Sequence, residues 1–120
     1  MVETINLAQK FSLFTEQWSP KIIGEVNDFH VKLAKLKGEF IWHNHENEDE
    51  LFLVVKGKLL IQLRDKDIWL TAGEIAIIPK GVEHRPIAEE EVEVLLFEPK
   101  STLNTGTITN ERTKTNLATI

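Results

Sequence analysis

Short apolar runs separated by turn residues dominate the middle of the chain. Between residues 22 and 99 the runs are rich in Ile, Val and Leu, and pairs such as Lys37-Gly38 and Ala72-Gly73 interrupt them. Many short strands at this spacing are typical of an antiparallel β-sandwich or β-barrel, so we predict an all-β domain. A turn at Glu89–Glu91 is expected to separate the last two strands. The predicted strands are Ile22–Val26, Phe29–Leu36, Phe40–Trp42, Leu51–Lys56, Lys58–Arg64, Ile68–Thr71, Glu74–Ile78, His84–Ala88 and Val92–Phe97.

One short helix is predicted near the N-terminus, over residues 6–14. Asn6 is a suitable N-cap, and apolar residues recur on one side of the helix. Those apolar residues are Leu7, Phe11 and Phe14. The chain is therefore expected to have three parts: an N-terminal helical segment over 1–21, a single β-barrel domain over 22–99, and a C-terminal tail over 100–120 that is rich in Thr and Asn.

Two stretches are apolar on both faces of their predicted strands. In Leu51–Val55 all five residues are apolar, and around Phe40–His43 the apolar residues again fall on both sides. A strand of this kind must be covered on both faces. The N-terminal segment, a second sheet or another subunit could supply the cover, and we favour a homodimer. The residues expected to point outward are Phe40, Trp42, Leu51, Leu53 and Val55.

Composition and charge fit an ordinary globular domain. The chain has 120 residues, of which 42% are hydrophobic and 28% charged. Its net charge of −5 argues against a nucleic-acid partner, and the lack of cysteine rules out disulfides and thiolate metal sites. No signal peptide is recognisable and no apolar run approaches the ~18 residues of a membrane span. We expect a cytoplasmic protein with no membrane partner.

Three of the four histidines, with one glutamate, form a candidate metal site. His43 and His45 are two residues apart on a predicted strand, so their imidazoles should lie on the same face. Glu50 opens the next strand, and His84 opens a later one after the Pro79-Lys80-Gly81 turn. Three imidazoles and one carboxylate are a suitable donor set for a divalent transition metal.

Glycines frame both groups of ligands. The segment Gly38–Gly57 reads G-x4-H-x-H-x4-E-x6-G, and the segment Gly73–His84 reads G-x5-P-x-G-x2-H. Together these segments closely resemble the two conserved motifs of the cupin family. The resemblance extends over residues 22–99 and covers most of the chain.

The resemblance implies a single-domain double-stranded β-helix barrel, or jelly-roll, with the short helix in front of it. It also implies that His43, His45, Glu50 and His84 bind one divalent transition metal per chain: Fe, Mn, Zn, Ni or Cu. The chain departs from the family pattern at two points. The spacing before His43 is one residue short, and Ala88 replaces a usual asparagine.

Strand parity predicts a largely apolar pocket around the metal. The residues expected to share the ligand face are Ile41, Phe52, Val54, Ala76, Pro86 and Ala88. No lysine, tyrosine or second carboxylate is expected there for acid–base chemistry, which argues against an epimerase. His30 falls on the same side of its strand as Lys32, and we expect it to be solvated.

Three classes of function remain open at this point. The chain could be a metal-dependent enzyme of dioxygenase-like or isomerase-like type that acts on a small organic molecule. It could be a non-catalytic module that binds or senses a small molecule through the metal. It could also be a metal-stabilised structural barrel without turnover. This barrel hosts many chemistries, so the resemblance predicts the fold better than the reaction.

Overall fold

The computed structural model describes residues 2–120 and is almost entirely β-structure. The single helix α1 spans Leu7–Phe11, and the Asn6 side chain caps it by accepting a hydrogen bond from the Gln9 backbone N–H. Within the described residues, no helix has the length and apolar character needed to cross a membrane. The strands are β1 Lys21–Val26, β2 Phe29–Glu39, β3 Glu50–Lys56, β4 Lys58–Leu63, β5 Asp67–Thr71, β6 Ile75–Ile78 and β7 His84–Pro99.

All strand pairings are antiparallel, and β7 lies at the centre of the sheet. The order along the sheet is β1-β2-β7-β3-β6, and β4 pairs with both β5 and β7. The first part of β7 pairs with β4 and its second part pairs with β3, while β2 runs along both parts. The predicted all-β barrel with a short N-terminal helix is therefore confirmed.

Three local predictions are wrong. The predicted turn at Glu89–Glu91 is a bulge within one 16-residue strand, at the register shift opposite Lys37. The three glutamates are exposed there, so they are solvated without ending the strand. The segment Phe40–Trp42 lies outside the strands, and α1 is shorter than residues 6–14 because the chain turns after Phe11.

Two apolar clusters cover the two faces of the sheet. One cluster fills the barrel interior, and it includes Val54 and Val94. The other lies outside the barrel, where Phe11 and Phe14 of the N-terminal segment pack with Ile23 and Leu33 of the sheet. Burial of such side chains contributes about 1.5–3 kcal/mol each.

The side chains predicted to point outward have different environments. Val55 packs against the outer cluster, so the N-terminal segment covers it. Phe40 is buried inside, which corrects its predicted orientation, because parity does not hold in an irregular segment. Trp42 is half-buried beneath the Arg64 guanidinium, which lies 3.8 Å from its ring centroid. The other two residues of the predicted outward set, Leu51 and Leu53, lie half-buried on the outer face of β3.

The C-terminal tail is attached to the barrel at two places. The Thr107 N–H donates to the Asn44 carbonyl, between His43 and His45 in the chain. Further along, the Ile22 N–H donates to the Ala118 carbonyl at 2.9 Å. Gly106 makes the first attachment possible, because a Cβ at this position would lie 1.8 Å from the Asn44 carbonyl oxygen.

We expect Gly106→Ala to be much more destabilising than Gly73→Ala. Both glycines have positive φ, so both substitutions cost about 1 kcal/mol of backbone strain. Of the two, only Gly106 has a backbone atom where the new Cβ would lie. Relief of such overpacking adds about 1–3 kcal/mol to the loss of unfolding free energy. Urea unfolding of both variants measures the difference. Equal losses of unfolding free energy would contradict the attachment described here.

Candidate metal centre

Two of the candidate ligands are held directly against each other by the backbone. The His43 N–H donates to the His84 carbonyl at 3.1 Å, and the His84 N–H donates to the His43 carbonyl at 2.9 Å. This reciprocal pair joins an irregular loop to the start of β7. The two imidazole centroids are consequently only 4.3 Å apart. A third backbone bond, from the Gly81 N–H to the His45 carbonyl, holds the other end of the loop.

Backbone carbonyls orient two of the imidazole rings. The Nδ1 atom of His43 lies 2.9 Å from the Ile41 carbonyl oxygen, and Nδ1 of His84 lies 3.0 Å from the Val82 carbonyl oxygen. A carbonyl only accepts, so Nδ1 carries the proton in both rings. In the neutral rings Nε2 therefore has a free lone pair, which is the arrangement usual for metal-binding histidines.

The four predicted ligands converge in the interior. All four side chains are buried, and one potential ligand atom from each lies within 4.8 Å of the others. Oε1 of Glu50 is 3.3 Å from Nε2 of His84 and 3.4 Å from Nε2 of His45. Among residues 2–120, neither ring nitrogen of His45 has a hydrogen-bond partner. Buried polar atoms are rarely left unpaired, so the His45 ring fits a metal ligand whose partner is an ion.

Burial keeps the lone pair of the His43 imidazole available, and the surrounding imidazoles keep the Glu50 carboxylate charged. Burial lowers the pKa of His43 to about 4, and the neighbouring His84 adds to the shift. Burial alone would raise the pKa of Glu50, but the adjoining His45 and His84 imidazoles outweigh it and hold the pKa well below its ordinary range. An anionic Glu50 carboxylate together with a neutral His43 imidazole suits a divalent transition metal.

The ligand group opens into a small cavity of about 40 Å³. His43 and Glu50 line it, and Trp18 is stacked on Phe40 in its wall with ring centroids 4.8 Å apart. The remaining lining residues are Pro20, Ala34, Leu36, Phe52, Pro86, Leu96, Glu98 and Asn104.

The structure separates the six predicted pocket residues. Phe52 and Pro86 line the cavity, whereas Val54 and Ala88 are buried in the apolar cluster that fills the barrel. Ala76 packs against that cluster, and Ile41 is half-buried beside the ligand loop.

The cavity contains an acidic group that was not predicted from the sequence. The prediction that no second carboxylate lies near the ligands is wrong, because Glu98 lines the same cavity as Glu50. Its Oε1 accepts a hydrogen bond from Nζ of Lys32 at 2.8 Å, and both side chains are only 3% exposed. Burial and the charge of Glu50 raise the pKa of Glu98 well above its usual range, against the effect of Lys32.

Arg64, Arg85 and His30 have partners outside the ligand group. Arg64 pairs with Glu83 near the surface, and Arg85 binds Gln62. His30 is half-buried beside Glu25, so the expectation that it is solvated holds only in part.

Both the sequence and the fold match known proteins. The cupin domain family matches residues 29–98, and the chain belongs to that family. A solved cupin-2 domain protein from Shewanella frigidimarina is 52% identical, with a TM-score of 0.79, over 80% of this chain and 94% of that one. A solved protein from Neisseria meningitidis is 35% identical, with a TM-score of 0.75, over 82% and 100% of the two chains.

Curated relatives resemble parts of the chain. The uncharacterized protein YdbB of Bacillus subtilis is 50% identical over 64 residues, which are 52% of this chain and 57% of that protein. A 3-hydroxyanthranilate 3,4-dioxygenase 2 of Aspergillus fumigatus is 27% identical over 78 residues. That match spans 62% of this chain and 42% of the dioxygenase.

We expect His43 to make the metal-free protein less stable as the pH falls. Its pKa is about 4 in the folded protein and near 6.5 in an unfolded chain, so the unfolded state binds more protons between these values. The free energy of unfolding should therefore decrease on acidification, by roughly 2 kcal/mol between pH ~6.5 and ~5.

The measurement is urea unfolding in the presence of a chelator, for the wild-type protein and for His43→Gln. The glutamine has no titrating group, so this part of the pH dependence should disappear from the variant. An identical pH dependence in both proteins would contradict the buried neutral state of His43.

Proposed function

We propose that this protein is a metal-dependent enzyme acting on a small organic molecule, with dioxygenase-like chemistry at the His43, His45, Glu50 and His84 centre. The observation that carries the proposal is the buried three-histidine, one-glutamate group, of which His43 and Glu50 line a cavity. A bound transition metal would supply a Lewis-acidic, redox-capable centre there. A dioxygenase transfers both atoms of O₂ to its substrate, so it needs no separate reductant.

The residues of the chain have separate tasks in this proposal. The Ile41 and Val82 carbonyls fix the proton on Nδ1 of His43 and His84, which leaves Nε2 free. The aromatic and aliphatic walls limit the water around the ligand group. The relative named as a 3-hydroxyanthranilate dioxygenase supports oxygen chemistry for this site.

Replacement of His84 by Ala should greatly weaken metal binding. A residue that merely orients a ligand contributes about 10- to 100-fold to affinity, so loss of a ligand should cost at least 100-fold. Calorimetric titration with Zn²⁺ or Mn²⁺, together with elemental analysis, measures the loss. His30→Ala is the matched control, because His30 lies outside the ligand group. Undiminished metal content in the His84 variant would contradict the assignment.

The catalytic part of the proposal has its own test. Protein loaded with Fe²⁺ or Mn²⁺ under anaerobic conditions is given small phenols, enols and hydroxy acids, and O₂ consumption is followed with an oxygen electrode. Substrate-dependent O₂ uptake that is lost in His84→Ala supports the enzyme. Tight ligand binding without turnover would instead favour the non-catalytic binding or sensing module.

We also propose a homodimer through the outer face of β3 and β6. Leu51 pairs with Ile77 and Leu53 with Ile75, which places four apolar side chains together. Ile75 and Ile77 are 55% and 59% exposed, and β6 lies at an edge of the sheet. An apolar patch of this kind favours association in water.

Sedimentation equilibrium should give about twice the 13.8 kDa chain mass. Ile77→Lys places a charge in the patch and should shift the protein toward monomer. Val26→Lys changes a similarly exposed residue on β1 and serves as the control. A wild-type monomer at micromolar concentration would contradict the dimer.

A further inference from the structure

One buried carboxylate oxygen beside the candidate metal centre has no partner. Oε1 of Glu98 is bound by Lys32, but Oε2 is buried without a hydrogen-bond partner among the described residues. An unpaired acceptor in the interior destabilises a folded protein, and more so when it is charged. A folded protein keeps such an atom at a cost in stability, which points to a role with a ligand.

Strand register places this oxygen next to the ligand group. Leu51 pairs with Phe97, so Glu50 and Glu98 are the next opposing positions on β3 and β7. Both carboxylates line the same cavity as His43.

Lys32 determines which oxygen of Glu98 is left free. Lys32 pairs with Leu96 across the β2–β7 ladder, two residues before Glu98, so the two charged side chains are diagonal neighbours. The 2.8 Å contact engages Oε1 and holds the carboxylate in place. Lys32 is thus a positioning residue for Glu98.

We propose that Oε2 of Glu98 recognises the ligand of the metal centre, by accepting a hydrogen bond from a hydroxyl or amino group of that ligand. This inference rests on the metal centre proposed above and specifies the class of molecule that it takes. The ligand carries an oxygen for the metal and, close to it, a hydrogen-bond donor for Glu98. The cavity of about 40 Å³ favours a small 2-hydroxy acid or a similar compound.

The test compares two probes that differ in one donor. Glycolate has a carboxylate and a hydroxyl, whereas methoxyacetate has an ether oxygen that only accepts. Both are titrated into the Co²⁺-loaded protein in mildly alkaline buffer, and visible absorption of the metal reports binding. Hydrogen bonds to charged groups correspond to about 10- to 100-fold in affinity, so wild-type protein should prefer glycolate by at least about tenfold.

Glu98→Gln should abolish this preference while Co²⁺ still binds. The amide can keep an acceptor oxygen toward Lys32 and then presents an N–H donor to the cavity, which suits the ether oxygen of methoxyacetate. The matched control is Glu89→Gln, because Glu89 is exposed on the same strand and should keep the preference. Rescue of the preference by Glu98→Asp would further separate recognition from a purely structural role.

The outcomes separate this inference from the function on which it rests. Equal affinity of the Co²⁺-loaded wild-type protein for both probes overturns the role of Glu98, and needs no variant to fold. An unchanged preference in Glu98→Gln also overturns it, since size or chelation would then explain the selectivity. A wild-type protein that fails to bind Co²⁺ contradicts the metal centre itself, and with it the ligand class proposed for Glu98.

Discussion

The alternation of side chains along β7 is the constraint on which the rest of the structure depends. His84 faces the interior at one end of this strand. Alternate residues are buried with it up to Ala88 and again from Val92 to Glu98, whereas Glu90 in the bulge is exposed. The bulge at Glu89–Glu91 adds an even number of residues, because Leu36 and Gly38 pair with Val92 and Ala88. The alternation therefore continues beyond the bulge, and both parts of the strand direct side chains into the same interior.

Buried charge makes this interior unusual for a small domain. Glu50 and Glu98 bring two carboxylates into it, whereas Lys32 brings a single ammonium group. Taking charges out of water costs several kcal/mol per ion unless each is well paired. The interior therefore holds more acidic than basic groups. It also holds the ring nitrogens of His45, which are unpaired among the described residues. Both features suit a site completed by a cation.

The fold and the ligands could be predicted because residue type and residue spacing lead to the same conclusion. The motif glycines and histidines predicted the barrel, and the four candidate ligands do converge. Pocket residues were harder to predict, because parity applies only within regular strands and Phe40 lies in an irregular loop. The acidic run Glu89–Glu91 resembles a turn in the sequence. Because a turn was predicted there, the alternation was not followed from His84 to Glu98. Burial of Lys32 depends on its contact with Glu98, which is 66 positions away in the sequence.

The attachment of the tail has a consequence for the order of events during synthesis. The loop that carries His43 and His45 is held from outside by Thr107, and the first strand is flanked by Ala118 and Ile120. When β7 has just emerged from the ribosome, every candidate ligand is exposed, but the tail segment that binds their loop from outside is still in the exit tunnel. The His43–His84 pair and the Gly81–His45 bond can already form in such a chain, whereas the bond from Thr107 to the loop is added only after residues 105–107 have left the exit tunnel. Early capture of a metal ion by the nascent chain would have to occur on a looser, incompletely held site.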